Sequence, residues 1–172
     1  MDRIRLIASD MDATLLDEQS QLPADFEETI YALAELGIRF APASGRPLYT
    51  LEELFPALRD ELVFIGDNGG AIRWKGQNLF TSEMSPEGWR ALNRLTREQG
   101  DIAVLCGLES AYVERPFAVH DAVLRHFYTK IEYVDRLEDV AAPADKFTIY
   151  LHSTMRSRPT IRSMPVSRAS TP

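Results

Sequence analysis

A chain of 172 residues with 45% hydrophobic side chains has enough apolar mass for one domain, or for a small core carrying an inserted module. Its formal net charge of -7 argues against nucleic acid or an anionic membrane as the principal partner, because both reward clustered Lys and Arg. No apolar run approaches the roughly 20 residues of a membrane-spanning helix. Met1-Asp2-Arg3 leads straight into an apolar segment without the character of a secretory signal, so the expected compartment is the cytoplasm. Cys106 is the single cysteine; an internal disulfide is impossible, and the neighbours Val104 and Leu105 favour a buried thiol over a nucleophile.

In chain order, Ile4 to Ser9 is a short apolar run bounded by charge, the pattern of a buried strand. Phe26, Ile30, Leu33 and Leu36 follow Pro23 at helical spacing, and Gly37 can adopt the left-handed cap conformation. Ile38 to Ala43 reads as a second strand. Pro47 opens a second helix bearing Leu51, Leu54, Phe55 and Leu58, and Leu62 to Gly66 is a third strand. Strand, helix, strand, helix, strand with short connections predicts a parallel α/β architecture. The cluster GDNGG then marks a turn, and Ala71 to Trp74 with Asn78 to Thr81 around KGQ predicts a hairpin.

From about residue 82 the rhythm changes. Ser85-Pro86-Glu87 starts a helix with apolar positions Trp89, Leu92 and Leu95. Ile102 to Leu105 and Ala111 to Glu114 are candidate strands, Ala118 to Tyr128 a candidate helix, and Lys146 to His152 another strand. Trp89, Tyr112, Arg115, Phe117 and His120 are read as structural side chains of this module. Residues 153–172 are rich in Ser, Thr, Arg and Pro and lack any acidic residue; the expectation there is disorder.

Asp10 and Asp12 follow the first strand directly, at the carboxyl end where parallel α/β folds collect ligands. Two close carboxylates suit a magnesium site and a division of labour, one attacking phosphorus while the other moves a proton. An EF-hand calcium loop is excluded, because Leu15 stands where that loop needs glycine and no glutamate closes it. The second strand ends in ASGRP. Ser44, Gly45 and Arg46 before a helix form a candidate phosphate site, although Ser44 as a plain N-cap and Gly45 as a loop glycine explain the same residues.

DMDATLLD, ASGRP and GDNGG, in this order and spacing, resemble the haloacid dehalogenase superfamily, specifically its Cof-type sugar-phosphatase branch. The resemblance implies an α/β fold: a Rossmann-like core with a partial parallel sheet and an α/β cap module. Residues 1–81 would be the N-terminal half of the core with motifs one and two, residues 82–152 a partial cap, and residues 153–172 a tail. It implies Asp10 as nucleophile and Asp12 as general acid/base, with Ser44, Gly45 and Arg46 holding the phosphoryl group. Asn68 would lie near the substrate, and Mg2+ would be bound through the Asp10 carboxylate and the Asp12 carbonyl. The implied reaction is magnesium-dependent hydrolysis of a small phosphorylated metabolite through an aspartyl-phosphate. The alternatives are an inactive remnant serving as a binding or interaction protein, and a phosphomutase.

Three departures accompany the resemblance. Family members carry glycine where Ala13 stands, a mild change unless the backbone there needs a positive φ. They also continue to a motif-three lysine and a motif-four acidic pair, whereas Lys75, Lys130 and Lys146 lie in the hairpin or cap region. The expectation is therefore a sequence truncated within the cap, with loosely held magnesium and Arg46 as the local cation. Ile4 to Ser9 would then form an unpaired sheet edge, leaving the isolated chain poorly soluble or self-associating, with little or no magnesium-dependent phosphatase activity.

Overall fold

The computed structural model describes residues 4–151 and 161–163, which fall into two units, residues 1–82 and 83–172. In the first, strands β1 (Leu6–Asp10), β2 (Arg39–Ala43), β3 (Val63–Gly66), β4 (Ala71–Trp74) and β5 (Gln77–Thr81) form one sheet in that order. β1, β2 and β3 run parallel, with α1 (Phe26–Glu35) and α2 (Leu48–Leu54) in the connections. β4 and β5 close the sheet as an antiparallel hairpin. Its KGQ turn works because Lys75 and Gly76 both adopt positive φ, 49° and 70°, the backbone that a two-residue hairpin matching strand twist requires.

The sequence reading of an α/β fold with a parallel sheet holds, with differences that have physical causes. The helix opened by Pro47 stops at Leu54 because Pro56 begins a separate 3-10 turn, Pro56–Leu58, and proline cannot donate to the preceding helical turn. α2 is nonetheless the best covered helix of this unit: Leu48, Tyr49, Leu51 and even Thr50 and Glu52 are buried. A row of aromatic rings ties the unit's helical layer to its sheet. Phe26 meets Phe40 edge-on at 5.6 Å and Phe55 at 5.7 Å, and Phe55 meets Phe64 at 6.2 Å. Such pairs add about 0.5–1.5 kcal/mol each beyond area burial. Among the described residues β1 forms the edge of the sheet, as expected for this sequence, with Leu6 52% and Ile7 36% exposed although the run itself has the apolar pattern of a buried strand.

The second unit is a mixed sheet in the order β10-β9-β6-β7-β8, built from β6 (Ile102–Gly107), β7 (Ala111–Glu114), β8 (Ile131–Val134), β9 (Ala144–Tyr150) and β10 (Ile161–Ser163). α3 (Pro86–Gln99) starts as the sequence indicates: the Ser85 hydroxyl accepts from Gly88 N at 3.1 Å and Pro86 occupies the first turn. Its inner stripe is Trp89, Asn93 and Thr96, while Leu95 points outward at 57% exposure. The expected helix over Ala118 to Tyr128 is instead a 3-10 segment, Arg115–His120, followed by α4 (Asp121–Leu124). β6 is buried along its whole length, including Cys106. One face of the sheet packs Val104, Val113, Leu124 and Tyr128 together, the other Trp89, Leu105, Leu137 and Phe147. Arg115 is on the surface, paired with Asp135 at 2.8 Å, and the His120 ring lies 6.5 Å from that of Tyr150.

Strand β10 corrects the expectation of disorder at residues 161–163, which pair antiparallel with β9. The rest of the tail lies outside the described residues. Among those described, no helix is long and apolar enough to cross a membrane.

Candidate active site

β1 ends at Asp10, and the chain then makes a single wide turn over Met11–Leu15, closed by the Leu16 N–H donating to the Met11 carbonyl at 2.8 Å. Met11 is fully buried and anchors this turn. Asp12 is extended, with φ -74° and ψ 128°, and Ala13 reverses the chain at φ 58°. The backbone therefore does use the left-handed region where family members carry glycine, so the Ala13 departure is not mild: a Cβ crowds the following carbonyl there at about 1–2 kcal/mol.

Asp10 pairs in register with Ala43, so the first carboxylate stands beside the start of the ASGRP loop. That loop is braced from both ends. Ser44 N–H donates to Ile65 O at 3.0 Å, and Arg46 N–H donates to the Ser44 hydroxyl at 3.1 Å. The neighbouring loop after β3 adds two further ties, Asp67 N–H to Arg46 O and Asn68 N–H to Ser44 O, both 3.0 Å. It can do so only because Asp67, Asn68 and Gly69 take positive φ in succession, 53°, 57° and 87°. The Asn68 amide packs on Gly45: a Cβ at position 45 would lie 2.9 Å from Asn68 Oδ1. Ser44 does not cap α2, whose N-cap position is Pro47 with no side-chain bond. Its hydroxyl instead shapes the loop and keeps its own proton free to donate.

Arg46 reaches across to motif one and donates from Nη2 to Asp12 Oδ1 at 2.9 Å. The direct bond is not foreseen in the sequence, where Arg46 is read as a phosphate contact and as the local cation beside the two aspartates. The signal was present, since adjacent parallel strand ends place residues just past Asp10 near those just past Ala43. Among the described residues the Asp10 carboxylate has no hydrogen bond or ion pair, which leaves it available as an attacking or ligating group.

Beneath the loop, Glu52 of α2 is held by Arg73 of β4, Nη1 to Oε2 at 3.2 Å, and Arg73 Nε donates to Asn78 Oδ1 at 2.7 Å. Glu52 and Arg73 are only 7% and 6% exposed, so they fix α2 against the hairpin. Close packing also brings α2 onto the end of β3, where a Cβ on Gly66 would fall 2.9 Å from the Leu48 nitrogen. Neither Glu52 nor Arg73 is singled out by the sequence.

The donor set at the end of β1 is two aspartates. Among the described residues no group of three or more His, Cys, Asp or Glu is placed to hold a metal. Hard carboxylate and carbonyl oxygens fit Mg2+, which protein sites commonly hold through one or two carboxylates, with substrate phosphate and water completing the shell.

Residues 7–157 match the family of haloacid dehalogenase-like hydrolases. The chain is 32% identical over 152 residues to the 5-amino-6-(5-phospho-D-ribitylamino)uracil phosphatase of Escherichia coli K12, covering 86% of this chain and 56% of that protein. It is 33% identical over 84 residues to the HMP-PP phosphatase of Cronobacter sakazakii, 48% of this chain and 31% of that one. Among solved structures it superposes on a protein of Streptococcus mutans UA159 with a TM-score of 0.75 at 26% identity, covering 86% of this chain and 57% of the other. The chain thus spans about half the length of the relatives it matches. With the aspartate turn, the braced serine loop and the family match together, the chain belongs to the haloacid dehalogenase-like hydrolases, in their Cof-type branch.

Proposed function

We propose that residues 1–81 form the N-terminal half of a phosphatase core and residues 82–152 part of its cap. The protein then hydrolyses phosphomonoesters of small metabolites, sugar phosphates among them, in the cytoplasm and with Mg2+. The observation that carries this is the Asp10 carboxylate at the end of β1, without a hydrogen bond or ion pair among the described residues, two positions before an Asp12 that Arg46 holds at 2.9 Å. Support comes from two relatives named as phosphatases, one of them for a phosphoribitylamino uracil.

An Asp10 oxygen attacks phosphorus, forming an acyl phosphate as the ester P–O bond breaks, and the departing oxygen takes a proton from Asp12. Asp12 then accepts a proton from water as that water attacks the same phosphorus, releasing inorganic phosphate and restoring Asp10. Arg46 occupies Asp12 Oδ1, which directs the mobile proton to Oδ2. Ser44 Oγ–H donates to the phosphoryl oxygens, and Asn68 keeps the Gly45 turn in shape beside them. Bound through the Asp10 carboxylate and the Asp12 carbonyl, Mg2+ would supply charge neutralisation for the transferring group.

The test is release of p-nitrophenol from p-nitrophenyl phosphate with and without magnesium, read beside acid-quenched phosphoprotein. Slow, magnesium-dependent turnover is expected, with both signals lost in Asp10→Asn, an isosteric amide that cannot attack phosphorus. Unchanged hydrolysis by that variant refutes the assignment.

A further inference from the structure

In the second unit a cleft of about 380 Å³ opens between β7, β8 and the segment that follows β8, and all of its lining falls between positions 112 and 142. That volume lies within the roughly 300–1,000 Å³ of small-molecule sites. Its walls are held from behind. The Leu137 N–H donates to Glu114 Oε1 at 3.1 Å, and Glu138 Oε1 accepts from Asn93 Nδ2 at 3.1 Å, which pins the segment after β8 to β7 and α3. Arg97 joins the two carboxylates, 2.7 Å from Glu114 and 3.4 Å from Glu138. On the other side the Tyr133 hydroxyl donates to Asp121 at 2.8 Å, and Arg125 Nε reaches both oxygens of that carboxylate at 3.0 and 2.8 Å. The shape is set by bonds outside the cleft, so a ligand meets a preorganised site.

The lining divides into an apolar floor and a charged mouth. Tyr112, Val134, Val140 and Ala142 belong to the layer packed around Trp89 and Leu105. Two cations, Arg115 and Arg136, and two anions, Asp135 and Asp139, stand exposed around them. Arg115 Nε donates to Asp135 Oδ1 at 2.8 Å. Among the described residues the second oxygen of Asp135, the Asp139 carboxylate and the Tyr112 hydroxyl have no hydrogen-bond partner. Burial first, and then the charge of Glu132, push the Tyr112 hydroxyl above its ordinary value, so it remains a donor.

We propose that this cleft binds a neutral sugar ring, with its C–H face on Tyr112 and Val134 and its hydroxyls on Arg115, Asp135 and Asp139. A hydroxyl both donates and accepts, and a paired guanidinium and carboxylate offer an acceptor and a donor side by side, so adjacent hydroxyls complete both. The charges at the mouth cancel, which gives an anion or a cation no advantage. A tyrosine ring presents an apolar face with one polar tip, the counterpart of a sugar's own two-sided character. Tyr112 and Arg115, structural side chains in the sequence reading, thereby take on a binding role. With the polar contacts exposed, affinity in the millimolar range is expected.

Amide chemical shifts of the whole chain, titrated in EDTA with D-glucose, D-ribose and inorganic phosphate, test it. Saturable shifts confined to residues 112–142 are expected with at least one of the two sugars, and none there with phosphate. Ala141→Trp fills the cleft from an exposed position and is expected to abolish the sugar shifts with an unchanged circular dichroism spectrum. Asp135→Asn alters a side chain that is 84% exposed, so the fold is not at stake, and is expected to weaken binding about tenfold through loss of a charged acceptor. The proposal is overturned if neither sugar gives saturable shifts, if phosphate binds in the cleft, or if the sugar shifts survive in Asp135→Asn or in a folded Ala141→Trp. Neither turnover nor magnesium enters these readouts, so their outcome is separate from that of the phosphatase reading.

Discussion

Replacing Glu52 by Leu strands the charge of Arg73 inside the first unit. The two groups meet at 3.2 Å and are more than nine-tenths buried, while the second cation near Glu52, Arg59, lies 4.0 Å away on a half-exposed side chain and adds little. Removing one partner of such a pair costs about 3–5 kcal/mol, because the remaining charge stays desolvated. At about 1.4 kcal/mol per decade, that is roughly two to three and a half orders of magnitude in the folding equilibrium. Replacing both partners, Glu52→Leu with Arg73→Met, removes the stranded charge and is expected to recover most of the loss. Urea denaturation followed by tryptophan fluorescence reads this unit alone in a Trp89→Phe background, since Trp74 is the only other tryptophan. Its ring lies between Arg39 and Lys75 at 5.4 and 5.2 Å and reports the hairpin. Should Glu52→Leu fail to fold, Glu52→Gln gives the same comparison in milder form. A single substitution costing under about 1 kcal/mol, or a double variant no better than the single, refutes the reasoning.

Ala13→Gly should stabilise the first unit by about 0.5–1 kcal/mol, relief of the left-handed backbone exceeding the added freedom of the unfolded chain; lower stability in urea would contradict it. Asp12→Asn should slow turnover while acid-quenched phosphoprotein accumulates, because loss of the base spares the acyl phosphate; no increase over wild type would count against Asp12 as base. In the second unit, burial, the hydrogen bond to Asp121 at 2.8 Å and that carboxylate's charge push the Tyr133 hydroxyl up to about 12. A folded value above the unfolded one of about 10 means this contribution to stability is complete below the unfolded value and lost as pH climbs through the folded one. Absorbance titration at alkaline pH should therefore lose a late-ionising tyrosine in Tyr133→Phe, with Tyr112, also raised by burial and by Glu132, still titrating late; an unchanged titration would assign the late group elsewhere.

The parts of this fold legible from sequence are those in which a local rule decides the structure. Ser85-Pro86 starts α3 at the expected residue, Ala111–Glu114 is a strand with the expected bounds, and KGQ makes the expected turn. Where neighbours decide, local patterns mislead. A strand's own residues do not say how many strands flank it: the apolar run of β1 reads as buried, and its edge position among the described residues was expected only by way of the family resemblance. β8 was missed because Ile131–Val134 is four residues long with an exposed Glu132, and is a strand chiefly through its parallel pairing with β7. Of the candidate site, Asp10, Asp12, Ser44, Gly45, Arg46 and Asn68 are named by the sequence as candidates, but the Arg46–Asp12 bond and the Asn68–Gly45 packing require two loops in space. The positive φ of Ala13, Asp67 and Asn68 follows no propensity of those residue types and is imposed by the turns they close.

The ladder between β1 and β2 makes strand registry a coordinate of the candidate site. Five pairs, Leu6–Arg39 to Asp10–Ala43, align motif one with the serine loop along the sheet, and the Arg46–Asp12 bond joins the two beyond the strand ends. Slippage that preserves the faces must move two residues, displacing Asp10 by roughly 6.6 Å relative to Ser44. No tight turn sets this alignment, because parallel strands are joined through a crossover; the ring of Phe26 on α1 packs against Phe40, the residue paired with Ile7, and so ties the crossover helix to the register. An aromatic contact in the core thus bears on the spacing of the proposed nucleophile and the proposed anion loop.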